Sequence, residues 1–341
     1  MKKYKYLGGF PPPYGGVTIK NKLLYSKLNE HISIEQSNFY NHDKGLLIRI
    51  SALFNDLVIN KKNGLIIGLS KDSLKKVTYI LYILNKRLMN NSVVMVMGGT
   101  FPEMVKKDKK LKIYLKEYKH IYVETEGMKK SLNSCGVNNV SVFPNCRERT
   151  DIDIREKYNN KQIRCLFFSL ISEDKGADIV ISAAEILTQK GINYSIDFYG
   201  HIDSKYKQNF HDKIKNNEKL NYCGVFKAAS KDDVYKKMLE YDVLLFPTKW
   251  KNEGVPGVLV ESKIAGIPAV VSDINYNSEI VENKKTGIVL KENTPKELAK
   301  AIELLYLDEN LLLKLKRGAK DSSKNYLIEN YIEQIIEIIE S

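Results

Sequence analysis

The sequence predicts an α/β protein with two doubly wound parallel sheets, on three observations. Short apolar runs of strand length recur along the chain and alternate with stretches of helical periodicity. The alternation pauses in a polar, charged stretch over 142–161 and then restarts. The length of 341 residues corresponds to about two domains. Strands that alternate with helices favour parallel sheets covered by helices on both faces, and therefore two Rossmann-like domains.

In the first half, four apolar runs predict strands. They are "YKYLGGF", "GLIIGLS", "SVVMVMGG" and "HIYVET", at residues 4–10, 64–70, 92–99 and 120–125. The run "VTIKNKLLYSKL" has helical periodicity, as does "DSLKKVTYILYILNKRL", for which Asp72 or Ser73 is the predicted N-cap. These elements predict a first domain over 1–150.

In the second half, five apolar runs predict strands. They are "IRCLFFSL", "YSIDFYG", "NYCGVF", "YDVLLFP" and "IPAVVSD", at residues 163–170, 194–200, 221–226, 241–247 and 267–273. The stretch "GADIVISAAEILTQKG" predicts a helix that Gly191 closes. We expect a second domain over 151–320 and an amphipathic C-terminal helix over 321–341 that packs on one of the domains.

Charge is divided unevenly between the halves. Residues 1–150 hold 26 Lys and Arg against 11 Asp and Glu, whereas the remainder holds 28 against 30. The densest basic run is Met104–His120, where Leu111, Leu115 and Tyr118 recur at helical spacing. This run predicts either a solvated lysine-rich helix or a helix that meets anionic lipid headgroups or a phosphorylated substrate. No nucleic-acid-binding motif accompanies it, so we expect no nucleic-acid partner.

Composition excludes several other classes. No apolar run approaches the length of about 18 residues that a membrane span needs. The N-terminal stretch, interrupted by glycines and prolines, does not resemble the core of a signal peptide. The four cysteines are scattered without a CxxC pair, which argues against a zinc site or a disulfide framework and fits a reducing cytoplasm.

Glycines cluster at four predicted strand ends. At the carboxyl end of a parallel strand, a glycine-rich turn lets the backbone approach a phosphate, and the following helix presents N–H groups to it. A plain turn is the more common explanation of any single cluster, whereas four clusters at four strand ends favour a phosphate site. None matches a dinucleotide or P-loop motif. The clusters are Gly15 and Gly16, Gly98 and Gly99, Gly176, and Gly254 with Gly257.

The segment "NEGVPGVLVE" carries the most specific pattern. A helix that begins near Pro256 or Gly257 would expose the amides of the preceding turn to a ligand phosphate. Glu253 would precede that helix and Glu261 would lie one turn inside it. The helix dipole alone favours acids there, but carboxylates also accept hydrogen bonds from sugar hydroxyls. Lys175, directly before another predicted helix, is either an exposed lysine or a point charge for an anionic group.

These residues resemble the retaining, nucleotide-sugar-dependent glycosyltransferases with the GT-B fold, of the family-four or group 1 type that builds bacterial surface polysaccharides. The resemblance runs through most of the chain. It is carried by "GGFPPPYGGV", "MGGTF", "VETEGMKK", "NVSVFPNCR", "FSLISEDKGADIVISAA" and "NEGVPGVLVESKIAGIPAVVSDINYNSEIV". It implies a GT-B fold, with two Rossmann-like domains whose parallel sheets face a central cleft. The first domain would bind the acceptor and the second the nucleotide-sugar donor.

The resemblance also implies site residues. Glu253 would bind hydroxyls of the donor sugar and, with Lys175, act in catalysis, while Glu261 would bind the ribose. Lys175 would neutralise the diphosphate, and Phe226 and Lys227 would hold the base. The remaining donor contacts would come from Gly15, Gly16, Gly254, Val255, Pro256, Gly257 and Val258, and the acceptor side would comprise Met97, Gly98, Gly99 and Thr100. Two positions depart from the family pattern, because Leu170 replaces a usual arginine and Met97 a usual histidine.

The function that the resemblance implies is a retaining, metal-independent glycosyltransferase of the hexosyltransferase type. It would use a nucleotide-diphosphate sugar, with a UDP-sugar favoured, and a hydroxyl of a glycan or lipid-linked acceptor. It implies no cofactor besides the nucleotide-sugar co-substrate and no metal. We expect a cytoplasmic protein that associates with the inner membrane face through its basic first domain. The alternative is a non-catalytic relative that binds sugar nucleotide or stabilises an active partner.

Overall fold

The structure is a computed structural model that describes residues 2–12, 15–39, 51–59, 62–152 and 162–341. The chain forms two compact units. The first comprises Met1–Glu148, Asn252–Val255 and Leu327–Ser341, and the second comprises Arg149–Lys251 and Pro256–Tyr326. The predicted connector over 142–161 contains the step between the units, and its residues 153–161 lie outside the described ranges.

The first unit is a six-stranded parallel sheet with helices. Its strands are β1 (Lys3–Gly8), β2 (Ser33–Asn38), β3 (Gly64–Ser70), β4 (Val93–Met97), β5 (His120–Val123) and β6 (Val140–Val142), in the order β2-β1-β3-β4-β5-β6. Its helices include α1 (Gly16–Asn29), α2 (Lys71–Leu84), α3 (Lys86–Asn90), α4 (Phe101–Lys107), α5 (Lys109–Leu115) and α6 (Glu126–Asn133), with a π-helical turn at Asn55–Ile59.

The second unit repeats the architecture. Its strands are β7 (Ile163–Phe168), β8 (Tyr194–Tyr199), β9 (Leu220–Tyr222), β10 (Val243–Phe246), β11 (Ala269–Ser272) and β12 (Gly287–Leu290), in the order β12-β11-β10-β7-β8-β9. Its helices are α7 (Ala177–Gln189), α8 (Lys207–Ile214), α9 (Asp233–Met238), α10 (Gly257–Ala265), α11 (Asn277–Ile280), α12 (Pro295–Leu307) and α13 (Glu309–Ser322). All the strand pairs in both sheets are parallel. The predicted α/β class with two parallel sheets is therefore confirmed.

The last helix, α14 (Ile332–Glu340), belongs to the first unit. Ile332, Ile335 and Ile339 are buried in the same apolar cluster as residues of β1, β3 and β4. Where the chain returns to this unit, the Ile328 N–H donates to the carbonyl of Arg147 at 3.0 Å. Burial of these isoleucines, each worth about 1.5–3 kcal/mol, stabilises the docked helix.

Each of two predicted helices is divided into two shorter helices, and a polar side chain caps the N-terminus of the second one. The helix predicted over 72–88 starts after Ser70 and ends at Leu84, and Asn85 then accepts a hydrogen bond from the Leu88 N–H at 3.0 Å. The basic run is divided between α4 and α5 at Asp108, whose carboxylate accepts from the Leu111 N–H at 3.0 Å. The predicted caps Asp72 and Ser73 are wrong because the N-cap is Ser70, two or three residues earlier.

Candidate functional site

The segment with the two glutamates follows the central strand β10 of the second sheet. All four residues of β10 are buried. The loop after it is held by side chains of neighbouring segments, since Ser272 donates to the carbonyl of Thr248 at 2.7 Å and Asn293 donates to the carbonyl of Pro247 at 3.1 Å. The helix α10 then begins at Gly257, which confirms the predicted helix start. The carboxyl edge of a parallel sheet is where ligands bind in such folds.

Pro256 is the N-cap residue of α10, with an extended backbone. The first N–H groups of an α-helix have no partner within the helix, so those at Gly257 and Val258 are suited to an anion. Glu261 lies one turn into this helix, as predicted from the spacing, and its side chain is half-buried. Gly266, with a φ of 68°, ends the helix in the left-handed conformation that glycine adopts readily.

Asn252–Val255, directly before α10, packs with the first unit. The N–H of Val255 donates to Oε2 of Glu124 at 3.0 Å, and its carbonyl accepts from Asn145 at 2.9 Å. The amide of Val255, which the sequence assigned to a ligand, is thus engaged by a protein carboxylate. Val255 itself is buried, whereas Glu253 is half-buried.

Two glycines permit this close packing. A Cβ atom on Gly99 would lie 2.1 Å from the carbonyl oxygen of Glu253, and one on Gly254 would lie 2.1 Å from Oε2 of Glu124. Neither distance is compatible with a side chain at that position. Gly99 and Gly254 therefore have a packing role, independent of any ligand.

Glu124 forms a buried ion pair that the sequence analysis did not identify. Its Oε1 accepts from Nζ of Lys20 at 2.9 Å, and the two side chains are only 6% and 5% exposed. The Lys20 ammonium also lies 5.2 Å from the centre of the Phe143 ring. Glu124 directly follows β5, and Lys20 lies in the first turns of α1. Burial of a lysine marks such a pair, but the burial of Lys20 is a property of the fold that the local sequence does not show.

Lys175 lies in the turn between β7 and α7. Its N–H donates to the Ser172 hydroxyl at 3.3 Å, and the helix starts after Gly176, whose φ of 80° is left-handed. A Cβ on Gly176 would lie 2.1 Å from the Pro247 carbonyl oxygen. This turn therefore packs tightly against the loop that follows β10.

A cavity of about 510 Å³ adjoins this turn. It is lined by Leu170, Ser172, Glu173, Asp174, Lys175, Asp203, Lys205, Tyr206, Asn209 and Trp250. The side chain of Leu170 is 43% exposed and Trp250 is also exposed. The position where the family has arginine thus presents an apolar surface at the rim of this cavity.

The residues predicted to hold the base come after β9. The Phe226 ring is half-buried and packs near Phe168 and Tyr199, with ring centres 5.9 and 6.1 Å apart. Lys227 is exposed. Phe226 therefore extends an aromatic cluster at the carboxyl ends of β7 and β8.

In the first unit, the predicted glycines have open surroundings. Gly15 and Gly16 are exposed at the start of α1, and an added Cβ on either would meet no atom within 4 Å. The Gly15 N–H donates to the Thr18 hydroxyl at 2.9 Å. Gly98, at a φ of 99°, also has open space around its Cβ position. At these three positions, therefore, glycine does not relieve a clash with protein atoms.

Met97 and Thr100 have structural contacts. The Met97 side chain is 3% exposed and belongs to the core cluster of the first unit, so it is not presented to an acceptor. The Thr100 hydroxyl accepts from Nζ of Lys71 at 2.9 Å. Thr100, in the loop after β4, is thus bound to Lys71 at the start of α2.

A second lysine of interest lies two residues after Glu261. Lys263 is buried on α10 and donates to the Ser322 hydroxyl at 2.7 Å. Burial lowers the pKa of Lys263 to about 8, although Glu282 opposes this shift. The helix that carries Glu261 therefore contains a cation that is costly to keep charged.

Among the described residues, no group of three or more His, Cys, Asp or Glu side chains is placed to hold a metal ion. Within the same ranges, no helix combines the length and the apolar character that a bilayer span requires.

The chain matches the family described as "Glycosyl transferases group 1" over residues 148–322. The protein belongs to this family. The matched region contains β7–β12 and the segment with Glu253 and Glu261. It is thus the part of the chain for which the sequence predicted donor binding.

Curated relatives are similar over part of their length. A Campylobacter jejuni N,N'-diacetylbacillosaminyl-diphospho-undecaprenol alpha-1,3-N-acetylgalactosaminyltransferase is 27% identical over 65% of this chain and 57% of its own length. The amylovoran biosynthesis glycosyltransferase AmsK of Erwinia amylovora is 26% identical over 51% of this chain and 40% of its own length. The match thus spans little more than half of the first relative and less than half of the second.

Solved structures establish the fold class. The Anabaena protein HepE in complex with UDP superposes with a TM-score of 0.72 at 14% identity, covering 100% of both chains. Sucrose-phosphate synthase from Thermosynechococcus elongatus gives a TM-score of 0.76 at 11% identity, over 99% of this chain and 98% of its own. The predicted GT-B fold is confirmed by these similarities.

Proposed function

We propose that this protein transfers a sugar from a nucleotide-diphosphate sugar, with a UDP-sugar favoured, to a hydroxyl of a glycan or lipid-linked acceptor. The observation that carries the proposal is the start of α10 at Gly257, at the carboxyl edge of β10. Glu253 lies four residues before this start and Glu261 four residues after it. Membership of the group 1 glycosyltransferases and the similarity to AmsK, a glycosyltransferase of amylovoran biosynthesis, support it.

The donor would be bound by several kinds of contact. The N–H groups at Gly257 and Val258 donate to the diphosphate, and Lys175, beside its cavity, neutralises the charge that develops as the nucleotide leaves. Glu253 accepts from hydroxyls of the sugar and Glu261 from those of the ribose. Phe226 offers an aromatic face to the base.

We further propose that the reaction proceeds with retention and without a metal. Acceptor attack on the face that the leaving group departs from lets the leaving phosphate take the acceptor proton. No protein base is assigned in this scheme. The C–O bond to the diphosphate breaks as the bond to the acceptor oxygen forms, and the proton passes to the nucleoside diphosphate. Lys175 and the helix amides supply the charge stabilisation that a metal provides in other enzymes.

A panel of UDP-, GDP- and ADP-sugars with product analysis tests the activity. We expect turnover with a UDP-sugar, retained anomeric configuration, and full activity in the presence of a chelator. Glu253→Ala should lower kcat/KM by several kcal/mol of transition-state binding, about 1.5–3 for each charged hydrogen bond lost. Glu333→Ala, at an exposed glutamate of α14, is the matched control. Tight UDP binding without turnover of any sugar would instead establish the non-catalytic alternative.

That alternative has a specific observation in its favour. Leu170 and the buried Met97 remove two polar side chains that the family usually places near the donor and acceptor. Leu170→Arg separates the alternatives, because restoring the second cation should raise kcat in an enzyme whose phosphate clamp is weakened. It should leave a binding protein without turnover.

We propose that the basic first unit meets an anionic membrane surface at the cytoplasmic face. The exposed apolar side chains of Ile83, Leu84 and Ile113 lie on α2 and α5, among the lysines of these helices. Tyr82 and Tyr114 connect the two helices, with stacked rings 3.7 Å apart. Apolar side chains with lysines around them are suited to the interface of anionic lipids.

Vesicle co-sedimentation tests this surface. We expect binding to phosphatidylglycerol vesicles and none to phosphatidylcholine vesicles at physiological ionic strength. Ile113→Asp should abolish the binding, while Leu307→Asp, at an exposed leucine of the second unit, should retain it. Equal binding of both variants would refute the assignment of the surface.

A further inference from the structure

The two carboxylate oxygens of Glu124 bind different partners. Oε1 pairs with Lys20 at 2.9 Å, and Oε2 accepts from the Val255 N–H at 3.0 Å. Both ionic side chains are more than nine-tenths buried. Removal of one member of such a pair leaves an uncompensated charge in the interior, which is strongly destabilising. Lys20 thus pairs with Glu124, and Glu124 in turn holds Val255.

Val255 is fixed at both of its backbone polar groups. The N–H is bound by Glu124 and the carbonyl by Asn145, at 2.9 Å. Two adjacent peptide planes are therefore oriented by side chains of the first unit. Gly254 rests directly against Oε2 of Glu124, where a Cβ would lie at 2.1 Å. The backbone that leads from Glu253 into Val255 consequently has little freedom.

We propose that Glu124 is a positioning residue that sets the placement of Glu253 through the Val255 amide. The proposal rests on the proposed function, in which Glu253 binds the donor sugar. In this proposal Glu124 acts through Val255 and is assigned no contact with the substrate. It orders a loop that would otherwise pay the entropy of ordering in each catalytic cycle. A displacement of about 1 Å at a substrate-binding group can cost about 100-fold in rate.

A second ion pair in the chain provides a matched control. Asp242 accepts from Nζ of Lys316 at 2.9 Å with one oxygen and from the Arg164 N–H at 3.0 Å with the other. The two side chains are 7% and 2% exposed. Asp242 thus binds one lysine and one backbone N–H, as Glu124 does. It connects the starts of β7 and β10, however, instead of holding the segment before α10.

Three double variants separate positioning from stability. Glu124→Leu with Lys20→Met removes both charges and the acceptor, whereas Glu124→Gln with Lys20→Met removes the charges but keeps an acceptor oxygen for Val255. Asp242→Leu with Lys316→Met makes the control change in the second unit.

Hydrogen exchange with single-residue fragmentation, without substrate, measures the Val255 amide directly. We expect about tenfold faster exchange at Val255 in the Leu/Met variant, because its amide no longer has a hydrogen bond to Glu124 that must break before exchange. The Gln/Met variant and the Asp242 control should stay within about threefold of the wild-type rate. Unchanged exchange at Val255 in the Leu/Met variant would overturn the proposal.

Steady-state kinetics test whether the hydrogen bond from Val255 to Glu124 affects the reaction. We expect kcat to fall about 10- to 100-fold in the Leu/Met variant. UDP affinity should be unchanged, because UDP lacks the transferred sugar that Glu253 is proposed to bind. The Gln/Met variant should recover most of this kcat, and the control should retain it. Faster exchange with an unaltered kcat would refute the positioning role. If the wild type turned over no sugar nucleotide, the proposed function would fail, and exchange alone would decide whether Glu124 holds the segment.

Discussion

Lys263 predicts an unusual pH dependence for the second unit. Its ammonium is buried on α10 and its pKa falls from the ordinary 10.5 to about 8, chiefly because burial disfavours the charged form. At 1.36 kcal/mol per pKa unit, this difference corresponds to about 3 kcal/mol of unfolding free energy. Below pH 8 both the folded and the unfolded states carry the proton, so the cost is fully present. Between pH 8 and 10.5 the unfolded state binds more protons, and this cost is progressively relieved as pH rises.

Lys263→Met removes the ammonium but retains an apolar stem of similar length. We expect it to raise the free energy of unfolding at pH 7 by about 1–3 kcal/mol, since the lost hydrogen bond to Ser322 offsets part of the gain. The Ser322 hydroxyl keeps its donation to the Ala319 carbonyl at 2.8 Å. Urea unfolding followed at pH 7, 8.5 and 10 should show the difference between variant and wild type shrinking with pH. A difference that stays constant across this range would refute the reasoning, and Lys300→Met, at an exposed lysine of α12, is the control.

Three further predictions concern charge and glycine. Lys316→Met should destabilise the second unit by about 3–5 kcal/mol by leaving Asp242 uncompensated, and urea unfolding of the double change with Asp242→Leu should show recovery. Gly176→Ala should destabilise the protein more than Gly191→Ala. Both glycines have a left-handed φ, but only a Cβ on Gly176 would clash with a backbone carbonyl. Equal decreases in melting temperature for the two variants would contradict this prediction. Gly16→Ala should leave the melting temperature unchanged or raise it, since the added Cβ meets no protein atom. If a phosphate approaches Gly16, the same change should raise KM for the sugar nucleotide. An unchanged KM would remove Gly16 from the donor site.

The sequence predicted most of the buried strands because their apolar runs have no helical period. The apolar strands β3, β4, β7 and β10 lie within the predicted ranges. The strand β2 was missed because "SIEQSN" lies at an edge of the sheet and has little apolar character. The short strands β6 and β12, which also lie at edges of their sheets, were not assigned either.

The candidate site was predictable where chemistry is local. The helix start at Gly257 and its spacing to Glu261 follow from adjacent residues, and the structure confirms both. Glu124 could not be found in this way, because its partners Lys20 and Val255 are separated from it by 104 and 131 positions. Gly99 and Gly254 were interpreted as phosphate-approach glycines, whereas their close contacts are with protein atoms. Such contacts depend on tertiary packing, which a local pattern does not encode.

The interleaved order of the two units has a consequence for biosynthesis. The first unit contains the start of the chain, four residues near position 253 and the final stretch from Leu327 to Ser341. During translation, residues of the second unit leave the ribosome before Ile328, Ile335 and Ile339, which complete the apolar core of the first unit. The core surface of the nascent first unit thus stays exposed while the second unit is synthesised. A fragment that stops at Glu148 keeps this surface exposed permanently, so it is expected to aggregate when expressed alone.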